Sequence, residues 1–149
     1  MHKILNIEYS PAPHFDLEEE FQLQQFVSNI IKEKLIESAH DISEGGLMIT
    51  LLEKGFNRNL GFNIISNEVR NLSDIRNDAF WFGEAQSRVV VTVKENRIKE
   101  IEDKCKASNI SITKLGTVTS KEIIIDENNC GNIIDWKEKY DTAIEKILN

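Results

Sequence analysis

The chain has 149 residues, 40% of them hydrophobic and 29% charged, with a formal net charge of -7. That length fits one domain with an ordinary core. The acidic balance, with no dense Lys/Arg block, speaks against a nucleic-acid surface, and no apolar run approaches the ~18 residues of a membrane span.

The N-terminus, Met1 to Asn6, has no apolar core or small-residue cleavage site of a signal peptide, so a cytoplasmic location is expected. Cys105 and Cys130 have no His or Cys neighbours at metal-ligand spacing and are expected as reduced thiols. Residues 1–15 hold both prolines, Pro11 and Pro13, and read as an extended lead-in; residues 16–149 form the domain.

Asp16 and Glu19 have the spacing of a capping box. Phe21, Leu23, Val27, Ile30, Ile31 and Leu35 then recur at helical spacing, which predicts a helix ending near Glu37. Ser38 to Ile42 reads as a strand running into a loop. Gly45-Gly46 turns the chain, and Leu47 to Lys54 is an apolar, buried helix with Gly55 as its C-cap. Phe62 to Ile65 is a strand, and residues 66–80 are polar and irregular, with room for one helical turn. After the aromatic cluster Phe80-Trp81-Phe82, Arg88 to Val93 is a β-branched strand expected to be buried on both faces. Glu95 to Ala107 is an amphipathic helix with Ile98 and Ile101 inward. Ile110 to Val118 and Lys121 to Asp126 are strands. Asn128, Asn129 and Gly131 make a turn to a short strand at Ile133-Ile134, and Trp136 to Leu148 is a closing helix. This order implies an α/β fold of the α+β type, a mixed β-sheet covered by helices.

Two constellations could carry chemistry. His40-Asp41-Ile42-Ser43-Glu44-Gly45-Gly46 lies between a strand end and a helix start, where open α/β sheets place ligands. Its glycines permit close backbone approach and would present free amides to an anion. Asp41 is an oxygen donor suited to Mg²⁺, and Ser43 could donate to a phosphate. The other reading is that Asp41 or Ser43 caps the following helix. His40 is a candidate base or ligand, or a hydrogen-bonded structural residue. In the second constellation, Glu84, Gln86 and Arg88 alternate and would share one face of an extended segment. They either bind a polar ligand or form a satisfied polar cluster, with Glu84 pairing Arg88 or a neighbouring backbone. No P-loop, dinucleotide fingerprint, nucleophile elbow or zinc motif is present, and no self-sufficient catalytic set.

Three stretches together resemble the C-terminal domain of phosphoribosylformylglycinamidine synthase. Ala39-His40-Asp41-Ile42-Ser43-Glu44-Gly45-Gly46-Leu47 is similar to the family's H-D-x-S-D/E-G-G-L. Phe82-Gly83-Glu84-Ala85-Gln86-Ser87-Arg88, followed by an apolar strand, is similar to its F-G/S-E-S/D-Q-x-R. Leu115-Gly116-Thr117-Val118-Thr119 is similar to its I-G-x-V-T. The resemblance covers residues 10–149 and extends to a group that includes aminoimidazole ribonucleotide synthetase and selenophosphate synthetase. It implies an aminoimidazole ribonucleotide synthetase C-terminal-domain-like fold.

It also implies a fragment of an ATP-dependent C–N ligase of purine biosynthesis. The full enzyme would convert formylglycinamide ribonucleotide, ATP and glutamine-derived ammonia to the amidine, ADP and phosphate. The implied cofactors are Mg²⁺ and ATP or ADP, with Asp41 toward the metal and Ser43, Gly45 and Gly46 toward a nucleotide phosphate. The implied catalytic residues lie in preceding domains, so none is assigned here. Where the family often has a serine this chain has Ala85, which gives Glu84 and Gln86 an organising role. The implied partners are those preceding domains and a glutaminase domain or subunit, with no nucleic acid and no membrane. The domain alone is expected to be inactive, and a homodimer is one assembly open to it. The alternative is a free-standing ligand-binding or interaction module that reuses the fold.

Overall fold

A computed structural model describes residues 15–71 and 75–148. The lead-in with Pro11 and Pro13 lies outside the described residues, apart from Phe15. Helix α1 spans Leu17–Lys32, and the Asp16 carboxylate caps it by accepting from the amides of Glu18 and Glu19. It ends five residues before Glu37. Lys34 turns left-handed (φ 55°), the Leu35 amide donates to the Ile30 carbonyl, and the Lys34 amide donates to Ile31. In this cap the buried Leu35 packs back onto Ile30, so its apolar spacing looks like one more helical turn.

Strand β1 (Ser38–Asp41) leads through the glycine pair to helix α2 (Gly46–Phe56), and strand β2 is Gly61–Ile64. Gly55 sits inside α2 and is not its C-cap. A Cβ there would lie 2.9 Å from Ile133 Cδ1, so the glycine serves close packing, while Asn59 supplies the left-handed turn (φ 51°). The segment read as irregular contains two short helices, α3 (Ser66–Asn71) and α4 (Asn77–Phe82). Strand β3 is Val89–Thr92, followed by a 3₁₀ turn and helix α5 (Ile98–Ala107). Within β3 only Val90 is fully buried. Ile101 and Cys105 form the buried face of α5, and Ile98 is only partly covered.

Strand β4 is confined to Gly116–Thr119, and residues 110–115 are not strand. Strand β5 (Glu122–Ile125) turns into β6 (Asn128–Asn132). The turn is at Asp126 and Glu127, both left-handed, so Asn128, Asn129 and Gly131 belong to the returning strand. Ile133 begins helix α6 (Ile133–Asp141) rather than a strand, because the Asn132 side chain caps the amides of Ile134 and Asp135. The closing helix is interrupted at Thr142 before α7 (Ala143–Leu148).

The strands have mixed orientation, as expected, but form two sheets. A four-stranded sheet runs β4-β2-β5-β6, with β2 and β5 parallel and the other pairs antiparallel. A separate antiparallel ribbon pairs β1 with β3, His40 opposite Val90. The larger core joins α2, α4 and the four-stranded sheet through Leu47, Leu52, Phe62, Trp81, Ile123 and Ile133. A smaller core packs α1 on α5 through Ile30, Leu35, Ile101 and Cys105. The ribbon lies between them, with Val90 in the first and Val93 against the second. No described helix is long and apolar enough to cross a membrane.

Candidate functional site

The loop after β1 bends back through the glycine pair, both left-handed, at φ 78° and 66°. A Cβ on Gly46 would fall 2.7 Å from the Phe82 carbonyl carbon and 2.8 Å from its Cα. The glycine is therefore required for the backbone of α4 to touch the start of α2. The Gly46 amide donates to the Ser43 carbonyl at 3.1 Å. The Gly45 amide donates to Glu84 Oε1 at 2.9 Å, from the second motif. Both glycine amides are thus occupied within the chain, contrary to the expectation of free ones. A carboxylate already stands at the positive end of α2, where the helix dipole favours negative charge.

Neither Asp41 nor Ser43 caps α2, which has no side-chain cap at Gly45. Both side chains are exposed instead. With Glu84, Gln86 and Arg88 they line an open groove of about 800 Å³ between the ribbon and α1. Glu84 does not pair with Arg88. The Arg88 guanidinium donates to the carbonyls of Gly83 (2.5 Å) and Ala85 (3.2 Å), and burial pushes its pKa down. Among the described residues it has no carboxylate partner, so a half-buried cation faces the groove.

The opposite wall was not legible in the motifs. Leu23, Val27 and Ile31 of α1 supply an apolar surface. Ser87, left-handed at φ 58°, donates to Glu20 Oε2 of α1 at 2.7 Å and closes one end of the groove. That bond, followed by one from Gln24, holds the Glu20 carboxyl below its usual range. The alternation of apolar residues along α1 marked a buried face, but nothing in its spacing marked a ligand wall.

His40 does not line this groove, although its Nδ1 lies 3.7 Å from Asp41 Oδ1. Its ring bonds the Asp41 carbonyl at 2.7 Å and faces Glu53 on the far side of β1. Among the described residues no three His, Cys, Asp or Glu side chains gather to hold a metal. The 77%-exposed Asp41 carboxylate is a single oxygen ligand. It suits Mg²⁺ only where phosphate oxygens and water complete the shell, as that ion prefers.

A four-stranded sheet and a separate ribbon, with paired motifs meeting at one groove, define a class. The family described as "AIR synthase related protein, C-terminal domain" matches residues 6–127, and the chain belongs to that family. Within it, the chain is 35% identical over 127 residues to the phosphoribosylformylglycinamidine synthase subunit PurL of Alkaliphilus metalliredigens, covering 85% of this chain and 16% of that protein. It is 31% identical over 147 residues to PurL of Bartonella quintana, covering 98% of this chain and 19% of the relative. The chain thus spans less than a fifth of the length of these curated relatives. In fold it is similar to Thermotoga maritima PurL complexed with FGAR, with a TM-score of 0.70 at 16% identity over 91% of this chain and 24% of that one. It is also similar to the same protein complexed with ATP, with a TM-score of 0.62 at 16% identity over 76% and 20%.

Proposed function

We propose that this domain forms one wall of a Mg-nucleotide site in a phosphoribosylformylglycinamidine synthase. The observation that carries the reading is the convergence of two distant motifs on one groove, with Asp41 and Ser43 exposed beside the carboxylate-free Arg88. The PurL relatives and the ATP complex of a protein of similar fold support a nucleotide as the occupant.

Each residue then has a distinct task. Asp41 offers an oxygen to Mg²⁺, and Ser43 donates its hydroxyl to a phosphate. Arg88 adds positive charge in a half-buried setting, where it is worth more than in open water. Gly45 and Gly46 act through shape, holding the loop against Phe82 and Glu84, rather than through amides offered to phosphate. Mg²⁺, when bound, neutralises charge on the phosphates.

In the whole enzyme, ATP would phosphorylate the amide oxygen of formylglycinamide ribonucleotide and release ADP. Ammonia from glutamine would then displace phosphate to give the amidine. The residues for those steps belong to preceding domains, and the ammonia to a glutaminase domain or subunit, in the cytoplasm. The exposed Leu17 and Phe21 of α1 are surfaces for such partners, or for a homodimer of the domain alone.

The test is a magnesium-ADP titration of the 149-residue chain, followed by backbone amide shifts. Millimolar binding with shifts at Asp41, Ser43 and Arg88 is expected. Sub-micromolar affinity would contradict a half-site, and shifts confined to residues outside the groove would sink the assignment.

A further inference from the structure

A second open pocket, of about 580 Å³, shares no residue with the groove and is lined in part by Ser38, Glu53, Lys54, Phe56 and Tyr140. We propose that the side-chain amine of Lys54 is a site of reversible imine formation with small neutral aldehydes, the pocket receiving the aldehyde's apolar group. The proposal is independent of the nucleotide reading.

The amine is held without a counter-ion. Lys54 Nζ donates to Ser38 Oγ at 2.7 Å and to the Val90 carbonyl at 3.3 Å. Ser38 Oγ lies 2.6 Å from Thr92 Oγ1, so it can pass its own hydrogen on while accepting from Lys54. Lys94, Lys104 and Lys137 each pair with a carboxylate, whereas among the described residues none pairs with Lys54. An ammonium carries three hydrogens, and a neutral amine carries two and a lone pair. Two acceptors therefore satisfy the neutral form, leave its lone pair open, and strand one hydrogen of the charged form. Burial acts in the same direction and pushes the Lys54 pKa down.

The surroundings select the electrophile. The other titratable groups facing the pocket are His40, Glu53, Lys137 and Tyr140. Lys137 is taken by Asp141 at 2.7 Å, and Glu53 accepts from the Tyr140 hydroxyl at 2.6 Å. The Glu53 carboxylate repels an anionic aldehyde. The Tyr140 ring packs on Phe56, with centroids 5.3 Å apart, and gives the pocket an apolar side. In the reaction the ammonium first gives one proton to solvent. The neutral nitrogen then attacks the aldehyde carbon and forms a C–N bond, and the carbonyl oxygen leaves as water with the two amine hydrogens. Protonated from solvent, the imine regains one N–H, which can stay on Ser38.

The test treats the unmodified 149-residue chain with benzaldehyde and sodium cyanoborohydride, which reduces any imine to a stable secondary amine. Peptide mass spectrometry then locates and times the adducts. Lys54 is expected to be labelled about threefold or more faster at neutral pH than the exposed Lys34, Lys99 and Lys106. Its rate should level off at a lower pH than that of free Nα-acetyl-lysine, because burial favours the neutral amine. Glyoxylate, an anionic aldehyde, is expected to show no preference for Lys54. Labelling of Lys54 no faster than the exposed lysines would overturn the proposal, and so would a rate that levels off with that of Nα-acetyl-lysine. An equal preference of glyoxylate for Lys54 would overturn the neutral class of electrophile.

Discussion

Glu84 Oε1 accepts a hydrogen bond from the Gly45 amide at 2.9 Å, across 39 residues of sequence. This bond joins the two motifs and neutralises the start of α2. Glu84→Ala removes the acceptor and leaves the amide to water. A destabilisation of about 1 kcal/mol is expected in denaturant unfolding, with an unchanged m-value. Glu84→Gln retains an oxygen and should lose less. Equal stability of Glu84→Ala and the parent chain would show that the bond contributes nothing.

The two glycines should differ in tolerance. At Gly46 an added methyl meets main-chain atoms of Phe82, which cannot move without displacing α4. At Gly45 it meets the Ile49 side chain, Cγ1 at 2.3 Å and Cβ at 2.9 Å; rotation about χ1 relieves the first, and a small shift of the loop must relieve the second. Both pay the left-handed strain of roughly 1 kcal/mol. Gly46→Ala is therefore expected to cost about 2–4 kcal/mol, and Gly45→Ala about 1–2 kcal/mol. Thermal melts of the two variants rank them, and the reverse order would contradict the packing.

Asp41→Asn separates ligand binding from folding. The carboxylate is largely exposed and caps no helix, while the carbonyl of the same residue makes the structural bonds. Stability should change by less than about 0.5 kcal/mol, while magnesium-ADP binding weakens. A clear loss of Tm with unaltered nucleotide affinity would make Asp41 a structural residue.

The bond from Ser87 to Glu20 predicts a pH dependence. The Glu20 carboxyl is held below its usual value of 4.5, first by Ser87 and then by Gln24. A depressed acid contributes stability that is present above its unfolded pKa and lost as pH falls through the folded one. Ser87→Ala should thus be less stable than the parent chain at pH 7, and the gap should close below about pH 4.5 as Glu20 is protonated. A gap that is constant from pH 7 to pH 3 would assign the loss to packing instead.

Local signals carried much of the fold. The Asp16 cap, the apolar α2 and the β-branched β3 were each written in short stretches of sequence, and the Ser43 to Gly46 loop stood out by its residue types. Signals that depend on distant partners did not. The Schellman cap at Lys34 hid inside an apolar period because Leu35 packs back on Ile30. The Asp126-Glu127 turn contains no glycine, so the glycine at Gly131 drew the turn to the wrong side of β6. The separation of ribbon from sheet is a pairing choice that no single strand encodes. At the groove, free glycine amides were expected because the sequence shows the loop but not the Glu84 carboxylate that fills it. His40 stands in the same motif as Asp41 and Ser43, whereas strand alternation sends it to the opposite face of β1 from Asp41.

The groove's walls belong to different cores. Helix α1 is anchored in the small cluster with α5, while Ile42 and Val90 on the other side pack into the large one. A cleft cut into one core widens only by opening voids among close-packed side chains. A seam between two cores widens by sliding surfaces that were never interlocked, with the Ser87 to Glu20 bond as a latch across it. Compliance is therefore expected along the line where a ligand would enter, with each core left close-packed.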